Sequence, residues 1–200
     1  MPRPRGPARE LLLDAARSLL LERGYEAAAL DDVCTRAGVT KGGLFYHFES
    51  KEQLAAAAIE RFYGQLVRTA QEAMGAPADP DQLLWRSLDA TVTLLGNPLL
   101  TQGCLLGAMA LETPQTHPAV AAAAQTALGD WKVTLTELIA AAARHRGVSV
   151  DAGALADALL AAIEGGLLLD RDKPTNPAAV AAVTYFGHYL RLTLTQGGQP

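Results

Sequence analysis

Cysteine is scarce: Cys34 and Cys104 are the only two in 200 residues. Two lone thiols give no disulfide framework and fit a reducing compartment. Long apolar runs are missing too. No stretch of eighteen apolar residues free of charge occurs, so no membrane span is expected. The polar start, Pro2 to Arg9, has no apolar segment behind it to make a signal peptide. A cytoplasmic protein is the expectation. Positive charge is not in excess either. The net charge is −4, and residues 1–60 hold eight Lys and Arg against nine Asp and Glu, so a basic surface must be local if there is one. No His/Cys set has metal-ligand spacing, and no Gly-rich phosphate loop or EF-hand pattern appears. His117, His145 and His188 lack a Ser, Cys or carboxylate at telling spacing and read as surface or capping side chains. No metal, no cofactor and no enzymatic activity are expected.

What is present is alanine, leucine and helical spacing. Half the residues are hydrophobic, and the strongest helix formers dominate, which points to an all-α fold of about nine helices. The length allows one large domain or two small ones. Over 9–23, Leu12, Leu13, Ala16, Leu19 and Leu20 form one apolar stripe, and Gly24 stops that helix. Tyr25 follows as the expected anchor under a small N-terminal domain, and Cys34 reads as a small buried hydrophobe.

Residues 30–51, LDDVCTRAGVTKGGLFYHFESK, organise the chain. A short helix over 31–37 ends at Gly38, which can take a positive φ cheaply. Thr40 stands at the N-cap of a second short helix over 41–48. Ser50 with Gln53 at N3 makes a capping box for the next helix. A helix, a glycine turn and a second short helix form a helix-turn-helix pattern. The second helix is too short and glycine-rich for a core element, and its Lys41, Tyr46 and His47 suit phosphates or base edges. Lys51 sits at a positive helix end, where an external anion would explain it. Residues 1–8, with Arg3 and Arg5, read either as a disordered terminus or as an arm reaching DNA.

These residues resemble the TetR family of bacterial transcriptional regulators. The likeness rests on GVTKGGLFYHFESKEQL, on the preceding ERGYEAAALDDVCTRAG, and on the spacing of Gly24-Tyr25, Gly38-Val39 and Tyr46-His47-Phe48. It implies an N-terminal three-helix helix-turn-helix DNA-binding domain over 1–50 and a helical ligand-binding and dimerisation domain over 51–200. It implies DNA contact through Thr40, Lys41, Gly43, Phe45, Tyr46, His47 and Lys51, on a double-stranded, pseudo-palindromic operator bound by a homodimer. The chain departs from the family pattern at Gly43, where Ser or Thr is usual, and at Phe45, where Tyr is common. Ala29 also replaces a capping Ser or Thr.

Beyond Lys51 the pattern is helix after helix: 51 to about 75, 80–95, about 103–112, about 118–146, 151–169 and 176–195. The first of these begins in one domain and ends in the other, as a lever would. GAPADP before the second is a linker with an Asp79 cap and Pro80 at N1. Trp85, Leu88, Met109, Trp131 and Leu135, with Phe62, Cys104 and Glu112, read as an ordinary core or as an apolar pocket with a few polar groups. The resemblance favours a small apolar effector in that pocket. Cys104 opens a helix, where a thiol is activated, so it reads as a buried structural cysteine or a sensor of electrophiles and oxidants. Leu159, Ile163, Leu167, Val183, Phe186 and Leu190 read as a dimer seam, or as completion of the monomer core. A helical metabolite-binding protein without DNA function is the alternative from another class.

Overall fold

The computed structural model describes residues 5–76, 79–171 and 173–196. Among them the chain is all α: α1 (Arg5–Ala27), α2 (Leu30–Ala37), α3 (Lys41–His47), α4 (Lys51–Met74), α5 (Pro80–Leu95), α6 (Leu105–Glu112), α7 (Pro118–His145), α8 (Ala152–Leu169) and α9 (Pro177–Gln196). Of the arm expected over 1–8, residues 1–4 lie outside the described residues. From Arg5 the chain is already helical.

Packing divides the chain into two units. One comprises the residues up to Gln65 together with Cys104–Leu128; the other comprises Leu66–Gly103 and the residues from Gly129 onward. The boundary expected at 50/51 coincides with the start of α4. The first packing unit runs on through two-thirds of that helix and also takes in α6 and the beginning of α7.

In the first unit the stripe of α1 is buried as its spacing requires, with Leu12, Leu13, Ala16, Leu19 and Leu20 between 0 and 4 % exposed. Val33, Ala37, Leu44, Phe48, Leu54 and Phe62 complete this core, and α6 lies against α1. Burial of each such leucine contributes about 1.5–3 kcal/mol, against about 0–1 for an exposed ion pair such as Arg23–Asp32 or Arg36–Glu22. The apolar stripe therefore holds the unit, and the surface pairs tune it. Gly24, at φ 79° and ψ 172°, breaks the helical path near the end of α1, and Tyr25 turns inward, 2 % exposed.

In the second unit α8 and α9 pair closely, and α9 also packs on α5. The closest approach is at Gly166, where an added Cβ would lie 2.3 Å from the Cα of Ala179. α8 is long and apolar enough by composition to cross a bilayer; its stripe of Leu155, Leu159, Ile163 and Leu167 is buried in the unit's core, which accounts for that composition. The turn from α8 to α9 is fixed by Asp170. Its carboxylate accepts the backbone N–H groups of Ala178 (2.7 Å) and Ala179 (3.1 Å), the orphan donors of the first turn of α9. Asn176, just before Pro177 at the start of α9, donates from Nδ2 to the carbonyls of Leu95, the last residue of α5, and Leu100.

This arrangement corrects the dimer seam read from sequence. Leu159, Ile163, Leu167, Val183 and Leu190 are 0–3 % exposed and fill the protomer's own core; Phe186 is half-buried. Periodicity marks an apolar stripe but not the neighbour that covers it, and here α8, α9 and α5 cover one another. On these two helices, Leu168 and Leu169 of α8 and Tyr185, Tyr189 and Leu192 of α9 are large apolar side chains that stay exposed.

Candidate functional site

The helix-turn-helix is built by local chemistry. Gly38 adopts φ 64° and ends α2, its N–H reaching the carbonyls of Cys34 and Thr35. Ala29 gives α2 no side-chain cap, as its substitution for Ser or Thr foretold. Thr40 caps α3 by accepting the N–H of Gly43 at 3.1 Å. Ser50 accepts the N–H of Gln53 at 3.1 Å, and Gln53 reaches back to the N–H of Glu49 at 2.6 Å. Leu44 is the buried anchor of α3, leaving the opposite face open. Phe45 is 48 % and Tyr46 65 % exposed, with Lys41 exposed beside them and His47 edge-on to Tyr46. Gly43 is glycine for a steric reason: a Cβ there would lie 2.9 Å from Val39 Cγ1 and 3.3 Å from Thr40 Oγ1. The hydroxyl residue expected from the resemblance has no room unless Val39 moves.

Charge on and around the helix-turn-helix is held in pairs. Lys41 Nζ lies 2.8 Å from Asp31, a hydrogen bond that pushes its pKa up and keeps it charged. Arg23 pairs with Asp32, and Arg36 makes a bidentate pair with Glu22. Lys51 departs from the expectation of an external anion. Its ammonium donates to the carbonyl of Glu26 at 3.1 Å and lies 4.4 Å from the Tyr25 ring centroid. Internal partners thus explain a cation at a positive helix end.

Those partners belong to a cluster that sequence reasoning did not see. Glu112, at the end of α6, accepts the backbone N–H of Tyr25 at 2.7 Å. His117 Nε2 lies 2.7 Å from Glu26 and Nδ1 3.5 Å from Glu52, with its ring 4.2 Å from that of Tyr25. Burial, and then the nearby Glu52 and Glu26, push the Tyr25 phenol up to about 12, so it stays protonated. Partners 87 and 91 residues apart leave no periodic trace in sequence.

The eight expected pocket residues divide between the two packing units. Phe62, Cys104, Met109 and Glu112 belong to the first unit, and Trp85, Leu88, Trp131 and Leu135 to the second. Phe62 and Met109 are fully buried core, and Glu112 is engaged at Tyr25. Cys104 is buried at the N-cap of α6 without a side-chain capping bond. Cys34 is buried as expected, which pushes its thiol pKa up and makes it inert. Trp85 and Leu88 do line a groove, of about 140 Å³, between α5 and α9. Its other walls are Asp89, Val92, Val183, Thr184, Gly187, His188 and Arg191. Thr184, His188 and Arg191 fall at i, i+4 and i+7, a polar strip on an otherwise apolar helix, which was a usable signal.

The family model described as bacterial regulatory proteins, tetR family, matches residues 12–58, and that described as tetracyclin repressor-like, C-terminal domain, matches residues 82–186. The chain is 28 % identical to the HTH-type transcriptional repressor DhaR of Mycobacterium sp. (strain GP1) over 167 residues, 82 % of each protein. It is 38 % identical to the HTH-type transcriptional activator FasR of Mycolicibacterium smegmatis over 87 residues, 44 % of this chain and 40 % of that one. A crystal structure of a TetR transcriptional regulator from Chloroflexus aurantiacus J-10-FL superposes with a TM-score of 0.79 at 27 % identity, covering 98 % of each chain.

Proposed function

The chain belongs to the TetR family of bacterial transcriptional regulators, and from that premise we propose that it is a cytoplasmic, homodimeric repressor released from its operator by a small molecule. The observation that carries DNA binding is the open face of α3. A seven-residue helix with a capped start and one buried anchor presents Lys41, Phe45, Tyr46 and His47 outward, where they can enter a major groove. Thr40 and Lys51 flank it for phosphates; the ammonium of Lys51 has further N–H groups beyond the one given to Glu26. Repression is preferred to activation because the likeness to a repressor runs through both domains, whereas the likeness to an activator covers less than half the chain.

A dimer accounts for Leu168, Leu169, Tyr185, Tyr189 and Leu192, an apolar set on α8 and α9 that a second copy would bury. Two copies would place two α3 helices on half-sites one helical turn apart. α4 and α7 each run unbroken from one packing unit into the other, giving a covalent route by which a ligand could favour a conformer of lower operator affinity.

The test is fluorescence anisotropy on duplexes from the flanks of the protein's own gene and on scrambled controls, over a range of salt. Tight, sequence-selective binding with a steep log–log salt slope is expected. Binding no tighter to any flank than to scrambled DNA would overturn the proposal.

A further inference from the structure

We propose that the groove between α5 and α9 is a binding site for a small monocarboxylate built on a single ring. Its platform is Trp85. The indole Nε1–H donates to Asp81 at 3.2 Å. Asp81 is gripped by Arg146 through Nε (2.6 Å) and Nη2 (2.8 Å), a bidentate, part-buried pair. The indole is therefore fixed by the protein's own side chains, as a preformed site requires. The Arg191 guanidinium lies 4.0 Å from the indole centroid. Stacking of this kind holds a guanidinium without using its N–H donors.

The two arginines beside Trp85 differ in one respect. Arg146 is neutralised by Asp81, whereas Arg191 forms no ion pair among the described residues. The groove thus presents one unmatched, oriented cation, and its planar fork matches the two oxygens of a carboxylate. Next to it the surface is hydrocarbon: Leu88, Val92 and Val183 line the groove. Gly187 leaves it open, since a Cβ there would stand 3.7 Å from Leu88 Cδ1. A volume of about 140 Å³ is close to the size of an apolar cavity that accepts benzene. Asp89 also lines the groove and would repel a second negative charge, so one carboxylate is favoured over two.

The inference names a ligand class for the proposed ligand-responsive regulator. Its test measures binding with no DNA present, so either idea can fail alone. The chain has two tryptophans; Trp131→Phe leaves Trp85 as the only reporter. Benzoate, benzamide and phthalate are titrated into the full-length W131F protein, and emission and heat are recorded. Benzoate should saturate a change in Trp85 emission, with benzamide and phthalate binding roughly ten-fold more weakly. Arg191→Gln, at an exposed position, should keep its melting temperature and lower benzoate affinity to that of benzamide. Arg191→Lys keeps the charge without the fork and should fall between. Asp89→Asn should tighten phthalate binding. No benzoate response at millimolar concentration, equal binding of benzoate and benzamide, or undiminished benzoate binding by folded Arg191→Gln would each overturn the proposal.

Discussion

Gly166→Ala adds one methyl group where α8 meets α9, and its cost can be worked from the contact. The new Cβ would stand 2.3 Å from the Cα, 2.7 Å from the N and 2.9 Å from the Cβ of Ala179. Ordinary contacts of this kind begin at 3.4 Å, so α9 must retreat by more than an ångström. The obstacle is backbone, which cannot rotate aside as a side chain can. The same movement stretches the bonds from Ala178 and Ala179 to Asp170, now 2.7 and 3.1 Å, out of range. Overpacking costs about 1–3 kcal/mol, and a backbone clash belongs at the upper end. The better helix propensity of alanine returns up to about 1 kcal/mol. A net loss of about 2 kcal/mol should lower the melting temperature by roughly 4–8 °C in a chain this long. Gly129, exposed within α7 with nothing within 4 Å of its added Cβ, is the control. Gly129→Ala should raise stability by about 0.5–1 kcal/mol. Thermal and urea melts at one fixed protein concentration measure both, because mass action shifts the melting point of an oligomer. A Gly166→Ala protein as stable as the parent, beside a stabilised Gly129→Ala, would refute the close approach of α8 and α9.

Four further outcomes are expected. Asp31→Asn releases Lys41 and should tighten binding to any duplex while steepening the log–log salt slope by about one unit, with Lys41→Ala doing the reverse. Tyr189→Glu, at a site 55 % exposed in the protomer, should leave helicity intact and turn a sedimenting dimer into a monomer at micromolar concentration. Glu112→Ala should speed hydrogen exchange at the Tyr25 amide and cost about 1 kcal/mol, the usual worth of a hydrogen bond. Burial alone would raise the Asp170 carboxyl, but Lys173 and the N–H groups of Ala179 and Ala178 outweigh it and hold it below the usual carboxylate range. A depressed pKa gives stability that is present above the unfolded value and lost as pH falls through the folded one, so Asp170→Asn should flatten the acid limb of a stability–pH curve.

The sequence was most legible where structure is made by near neighbours. Gly38, Thr40, Ser50 and Gln53 act within a few residues of themselves, so the caps and the helix-turn-helix could be read directly. Helix spans were legible from the leucine and alanine stripes for the same reason. The partner of each stripe was not. Leu159 and Val183 carry the same periodicity whether a second copy or the protomer's own helices cover them, and only the assembled chain decides. Long-range polar contacts were the least visible. Nothing near Lys51 indicates that its anion substitute is the carbonyl of Glu26, and nothing near Asp170 indicates that it caps α9. The expected pocket residues were pooled from successive helices by size and apolarity, and periodicity gave no sign that they divide between two packing units.

The first packing unit is not contiguous in sequence, and this bears on how the protein is born. α8 and α9 follow one another along the chain and can pair as soon as both exist, a local event of the kind that folds quickly. The N-terminal helices have no such freedom. Their core includes Leu105, Leu106 and Met109 on α6, and the amide of Tyr25 waits for Glu112. At roughly 5–20 residues per second, a ribosome that has made α4 needs several seconds more to deliver these residues. During that interval the nascent DNA-reading helices stay unfinished, with apolar surface open to chaperones. A fragment ending after α4 should therefore be a poor stand-in for the DNA-binding part of the whole chain.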